Sequence, residues 1–453
     1  VVVAAAADPP AATVTGALAG GPAVHPGYGD EGLVRRSVVN QVDAPGRAGE
    51  ARTSGEGGYR FAVAAYLVVA IVLVLTVALS EHLLERWAGY PIARLHFPGS
   101  WLFEGWVRYD GNWYRDIVSN GYRYNGAGSQ ANVAYFPGYP MVLWALTQVV
   151  GDTAVAGIAL TFASGLASIV LFQRWCRTRL DPRTMRLAVI VMLVYPFAWY
   201  LFGTVYADAL FLAFALGAFL LLEAGHPILA GLVGALATFT RPVGVAVVIG
   251  LVLVTIERKG GFGKLRTLQW RDAGVLLSAL GLAAWSAYQG IRWGNPLLFT
   301  DIEGAPGWDQ ASGPRTWFKI TFLQRMHRLP GWLGDSISHT TVHSPRPWTE
   351  SVYSLSILLQ ALILVGAVVL VRVVWRRIGW GYAGYVLGII AVAAIGTKDF
   401  FSVGRYLLGA FPLFAALALV LIDRPRTRVA AVATSAVLLL LLTSGYARGY
   451  YLA

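Results

Sequence analysis

Beyond residue 58 the chain is a succession of long apolar runs separated by short polar segments. A helix needs about 20 apolar residues to cross the hydrocarbon of a bilayer. Candidate runs lie at 60–80, 153–173, 186–203, 205–223, 227–256, 273–293, 352–371, 381–397, 403–422 and 428–444. The 227–256 run is long enough for two short passes, and Arg241-Pro242 interrupts it. Proline breaks the helical ladder and arginine is costly in lipid, so this run divides into 227–240 and 243–256. The pattern predicts an all-α polytopic membrane protein of about eleven transmembrane helices. It contains no heptad run and no solenoid repeat.

The basic segments give this bundle a direction. With the N-terminus in the cytoplasm, RWCRTRLDPRTMR (174–186), ERKGGFGKLRTLQWR (257–271), RVVWRR (372–377) and DRPRTR (423–428) all lie on the cytoplasmic side. Two long segments, 81–152 and 294–351, then face outward. In this scheme 135–150 does not cross; it lies along or dips into the outer face as an interfacial helix. Residues 1–58, rich in Ala, Gly, Pro and Val, read as a disordered cytoplasmic tail, and 59–453 as the transmembrane domain.

Composition agrees. The 453 residues are 56% hydrophobic and 13% charged, whereas a soluble domain carries about 25% charged residues. A net charge of +12 would favour nucleic acid in a soluble protein; here topology accounts for it, and no nucleic-acid partner is expected. The lone Cys176, read as part of a basic loop, excludes a disulfide framework and a cysteine metal site. No phosphate-binding G-x-x-x-x-G-K-[ST] motif is present, so neither ATP nor a soluble nucleotide sugar is the expected substrate.

The outer segments carry the candidate chemistry. The densest stretch is WLFEGWVRYDGNWYRDIVSNGYRYNGAGSQANVAYFPGYP (101–140). Asp110 stands among Tyr109, Trp113 and Tyr114, and a carboxylate shielded by rings can hold an ion or act as a general base. The alternative is a turn at Asp110-Gly111 with the aromatics as interface anchors. Glu104 and Asp116 flank the Tyr109–Tyr114 segment and read as solvated, or paired with Arg108 or Arg115. His339 and His343 are four apart, but TTV and Ser-Pro around them argue against a metal-binding helix, so no metal site is expected. Trp308 and Trp317 could stack on sugar or lipid, but read first as membrane anchors.

The stretch YDGNWYRDIVSNGY followed by YFPGYP resembles the signature of the PIG-V-like mannosyltransferases, roughly W-D-G-x-W-Y, then G-Y, then F-F-P-x-Y-P. Asp110, Gly111, Trp113, Tyr114, Gly121, Tyr122, Phe136, Pro137, Tyr139 and Pro140 match. Tyr109 replaces a Trp and Tyr135 a Phe. VYADALF (205–211) resembles a Y-x-E-S-x-F segment with Asp208 for Glu. TRPVG (240–244), GRYLLGAFP (404–412) and, more weakly, GNPLLF (294–299) resemble later segments in order. The resemblance spans about 100–412.

The resemblance implies a GT-C bundle, an active site on the outer face of a bacterial plasma membrane, and a polyprenyl-phosphate donor, usually of mannose. It implies inverting transfer to a lipid-linked or glycan hydroxyl, with no cofactor beyond these substrates. By position, Asp110 becomes the catalytic carboxylate that takes the acceptor proton. Arg241, Arg405 and Lys398 are the candidate cations for the donor phosphate, arginine being suited to paired contacts with phosphate. Asp208 would orient Arg241 or bind acceptor. Tyr206, Trp113, Tyr114, Tyr139 and His327 complete the substrate-binding candidates. The alternatives are transfer of another sugar or to a protein, and a lipid or solute transporter.

Overall fold

The computed structural model describes residues 59–310 and 313–452. The expected tail, 1–58, lies outside the described residues. Among the described residues every regular element is helical. Five helices are long and apolar enough to cross a membrane: Arg60–Leu83, Thr153–Arg177, Trp270–Trp293, Pro347–Arg377 and Pro425–Ala447. The other apolar runs form shorter or broken helices. The first of the five shows why lipid is required: Leu67, Val68, Ile71, Leu75 and Leu79 are all exposed along it. A continuous apolar surface of this kind is stable only against hydrocarbon.

Local chemistry explains the ends and breaks. Asp152 caps Thr153–Arg177, its carboxylate accepting from the backbone N–H of Ala154 and Val155 at 2.8 and 2.9 Å. Pro182 opens Pro182–Leu193 behind the capping Asp181. The 227–256 run is split as expected: Pro227–Thr240 ends, Arg241 is extended, and a short turn at Pro242–Gly244 leads into Val245–Arg258. The 186–203 run is only partly helical and gives way to a turn at Ala198–Leu201. The 403–422 run divides into Val403–Leu408 and Pro412–Leu421. Small residues permit close helix contacts: a Cβ added at Gly231 would stand 1.9 Å from the Gly274 carbonyl oxygen.

The loop assignment at Cys176 is corrected. Cys176 is buried inside Thr153–Arg177, because the helix continues through the basic residues to Arg177. Segment 135–150 forms the short helix Gly138–Val150. Segment 294–351 contains Ile320–Ser338, an amphipathic helix with Pro330 inside it.

Segments 81–152 and 294–351 are joined by a small apolar cluster. Val133 and Ala134 of the first pack with Leu298, Ile302 and Ala305 of the second. Gln289 ties the joint together: its amide donates to the Val133 carbonyl at 2.8 Å and accepts from the Phe299 N–H at 2.9 Å.

Candidate active site

The site is built where chain breaks meet. Asp110 is the first residue of helix Asp110–Asn120, so the expected loop turn is instead a helix start. The preceding Tyr109 has φ +47°, ψ −107°, a costly conformation for a bulky residue that surrounding contacts must enforce. Those contacts are plain. Arg108 is fully buried and donates to the Glu104 carboxylate at 2.5 Å and to the Ala447 carbonyl at 2.7 Å. The Tyr109 hydroxyl donates to the Gly449 carbonyl. Its ring packs on Tyr90 and Tyr451. Gly111 is needed for close approach, since a Cβ there would lie 3.2 Å from the Val205 Cβ.

Asp110 is held on three sides. Its Oδ2 accepts from Arg405 at 2.5 Å and its Oδ1 from the Tyr135 hydroxyl at 3.2 Å. Its backbone N–H donates to the Tyr206 hydroxyl at 3.3 Å. Arg405 in turn lies over the rings of Tyr206 and Tyr200, 5.1 and 5.7 Å from their centroids. Its Nε is buried without a hydrogen-bond partner, so the guanidinium retains an unused donor facing the protein interior.

A second buried pair stands beside the first. Arg241 forms an ion pair with Asp208, the side chains 8% and 4% exposed. Arg241 lies 4.9 Å from the centre of the Tyr406 ring and Arg405 lies 5.8 Å from it, so Tyr406 neighbours both cations. The extended backbone at Arg241 and the helix start at Asp208 present these side chains to each other.

Aromatic rings form the wall. Trp113 stacks on Tyr135 at 5.9 Å and meets Trp308 at 5.7 Å. Tyr114 packs against Tyr135 and Tyr139 at 5.2 and 4.7 Å. Trp308 therefore belongs to this wall rather than to a membrane anchor, a correction to its reading above. Trp317 is exposed. Lys398 sits at the margin: its Nζ donates to the Trp308 carbonyl at 2.9 Å and pairs with Asp309 at 3.3 Å.

The structure thus brings together Asp110, Asp208, Tyr206, Arg241, Arg405, Trp113, Tyr114 and Tyr139, with Lys398 behind Trp308. His327 is different. It is exposed on Ile320–Ser338 and has no contact with the cluster. A cavity of about 250 Å³ lined by Arg325, Arg328, Trp332 and His343 also contains none of the cluster residues. A neighbouring cavity of about 190 Å³ reaches Tyr353 and Tyr451, and Tyr451 abuts Tyr109. His343 bonds Asp335, whose carboxyl these contacts hold down at about 2. Among the described residues no group of three or more His, Cys, Asp or Glu forms a metal cluster. Glu104 pairs with Arg108 as expected. Asp116 pairs with Arg123 instead of Arg115, because Asn132 and the turn after Gly121 bring Arg123 back over the helix.

Glu303 is the site residue that the sequence did not single out. It lies in the turn Ile302–Gly304, on the segment carrying Trp308, and is partly buried. Burial raises its carboxyl to about 7, the Asp110 charge adds to the rise, and Arg405 opposes it. Asp301, Glu303 and Asp309 look alike in the sequence, and only the docking of the outer segments distinguishes them.

No family model, no curated protein and no solved structure matches this chain.

Proposed function

We propose that the protein is an inverting glycosyltransferase of GT-C type that moves mannose from a polyprenyl-phosphate donor to a lipid-linked or glycan hydroxyl. The observation that carries the proposal is the convergence of Asp110, Asp208, Arg241 and Arg405 in one aromatic-walled cluster. These residues come from four separate motifs that the resemblance placed in order, and 295 positions separate Asp110 from Arg405. A transporter instead needs polar groups along a path open to both sides.

In this reading the acceptor oxygen attacks C1 of the sugar and Asp110 takes its proton. The lipid phosphate departs as an anion. Arg241 and Arg405 stabilise it, each already polarised by a carboxylate partner, with preorganised charge supplying most of the effect. The stacked Trp113 and Tyr135 offer a platform for a sugar ring. Tyr206, Tyr114 and Tyr139 hold the carboxylate and the platform in place, and Lys398 fixes the segment bearing Trp308. The proposal includes about eleven spans, a cytoplasmic N-terminus and an outward-facing site in a bacterial plasma membrane.

The test is transfer by purified protein from synthetic polyprenyl-phosphate mannose, beside Asp110→Asn. Transfer by the wild type, lost in a folded Asp110→Asn that still binds donor, supports the reading. Transfer unaffected by Asp110→Asn moves the base elsewhere. Absence of transfer with several polyprenyl-phosphate sugars and acceptors refutes the reaction.

A further inference from the structure

Both oxygens of Asp110 are already engaged, one by a guanidinium and one by a phenol. A carboxylate so paired is an efficient first contact for a proton but a poor place to leave one, because protonation discards the ion pair. Glu303 is the complement. Among the described residues its carboxylate makes no ion pair and no side-chain hydrogen bond, while its neighbours Ile302 and Ala305 belong to the cluster against which Tyr135 packs, and the Tyr135 hydroxyl donates to Asp110 at 3.2 Å; the charges of Asp110 and Arg405 both act on it. The tyrosines Tyr135 and Tyr451 also feel its charge. These four groups are the titratable and charged residues that face it.

The surrounding structure holds Glu303 in this position. Its neighbours Ile302 and Ala305 are buried in the joint between the outer segments. Its own carbonyl accepts from the Gln310 N–H at 2.8 Å, and the Gln310 side chain accepts from the Lys398 N–H at 2.7 Å. With Asp208 paired to Arg241 and Asp110 to Arg405, Glu303 is the carboxylate of the cluster without a cationic partner of its own.

We propose that Glu303 is the terminal proton acceptor of the transfer, receiving from Asp110 the proton of the acceptor hydroxyl. This rests on the glycosyltransferase reading. The acceptor O–H bond breaks and its electron pair forms the new bond to C1. The C1–O(phosphate) pair leaves with the lipid phosphate. The proton passes to Asp110 and is relayed on to Glu303, restoring the Asp110–Arg405 pair, and Glu303 releases it to solvent. A site already carrying an anionic donor thereby avoids a third uncompensated negative charge at the moment the phosphate is freed. The upward displacement of the Glu303 carboxyl to about 7 suits a group that must load and unload a proton near neutrality.

The experiment is the pH dependence of kcat/KM and kcat from pH 5 to 9 for wild type, Glu303→Gln and Glu303→Asp, with polyprenyl-phosphate mannose as donor. The wild-type rate should rise with pH through an ionisation near 7. Glu303→Gln should lose that limb and about 100-fold in kcat, with donor KM little changed. Glu303→Asp should recover a displaced limb and part of the rate. A Glu303→Gln enzyme with the wild-type rate and profile overturns the proposal. So does a loss that appears wholly in donor KM, or an aspartate variant as inactive as the glutamine variant although folded. Wild-type protein that transfers no sugar overturns the glycosyltransferase reading and this proposal together; transfer with an unchanged Glu303→Gln profile overturns this proposal alone.

Discussion

Replacing Asp208 by Asn should destabilise the protein far more than replacing both partners of its ion pair. Asp208 and Arg241 are 4% and 8% exposed, and Arg405 adds a second positive charge against Arg241. Removing the carboxylate leaves a buried guanidinium without its paired carboxylate, with only the more distant Asp110 charge acting on it, and breaking a buried pair typically costs about 3–5 kcal/mol. For this 453-residue chain, unfolding entropy of about 1 kcal/mol per degree converts this to a fall of about 3–5 °C in Tm. Asp208→Leu/Arg241→Met removes both charges and fills similar volume, so its cost should be within about 1–2 kcal/mol of zero. The assay is thermal unfolding of purified protein in detergent, followed by tryptophan fluorescence, for the two single variants and the double variant. If Asp208→Asn shifts Tm by less than about 1 °C, or if the double variant loses the sum of the two single losses, the two groups are not coupled and the argument fails. On the proposed reading the double variant should be catalytically dead even where it is stable, since it lacks one of the two cations assigned to the leaving phosphate.

Other outcomes are equally definite. The Glu303 carboxyl is raised in the folded state, so its contribution to stability is full below about 4.5 and is lost as pH rises through about 7. Glu303→Gln, which cannot ionise, should therefore match the wild type at pH 4 and exceed it above pH 8 by up to about 3 kcal/mol, read as a pH-dependent difference in Tm. Gly111→Ala should preserve folding but reduce transfer at least about tenfold, because the new Cβ meets Val205 and shifts Asp110; full activity would show that the start of the helix has slack. The Asp335 carboxyl is depressed to about 2 by its bonds to His343 and Thr340. The 335–343 turn should therefore keep this contribution above about pH 4 and lose it as pH falls toward 2; at neutral pH Asp335→Asn should speed proteolysis near 340–346, and an unchanged cleavage rate would count against the contact.

How much of this was legible beforehand varies residue by residue. Asp110, Arg241 and Arg405 stood out because charges beside apolar runs are expensive, and Arg241-Pro242 marked a break that is present. The Asp208–Arg241 pairing was among the roles anticipated for Asp208. Five helices meet the length and hydropathy needed to span, while several other runs bend or stop where Gly and Pro interrupt them, which window counting smooths over. Trp308 was read first as an anchor because aromatics in such segments suit a membrane interface; its partners, Trp113 and Tyr135, lie about 170–200 residues away. Glu303 was unreadable for the same reason. Its environment comes from the small apolar joint between the outer segments, and nothing local in DIEGAPGWDQ encodes that joint. His327 seemed suited to the site by composition, yet the exposed face of its helix carries it elsewhere.

The lock on Arg108 and Tyr109 has a consequence for how the protein is made. The backbone that forces Asp110 into position is gripped by the carbonyls of Ala447 and Gly449, while Ser356 and Gln360 hold the Leu452 carbonyl. A ribosome delivers Asp110 to the membrane more than three hundred residues before it delivers the groups that fix its geometry. A partly synthesised chain would therefore carry the carboxylate without the conformation that makes it useful, and competence would arrive only when the helix ending at Ala447 has been inserted and docked. Chains stalled or truncated before that step would remain in the bilayer as inert helices, unable to carry out the proposed transfer prematurely.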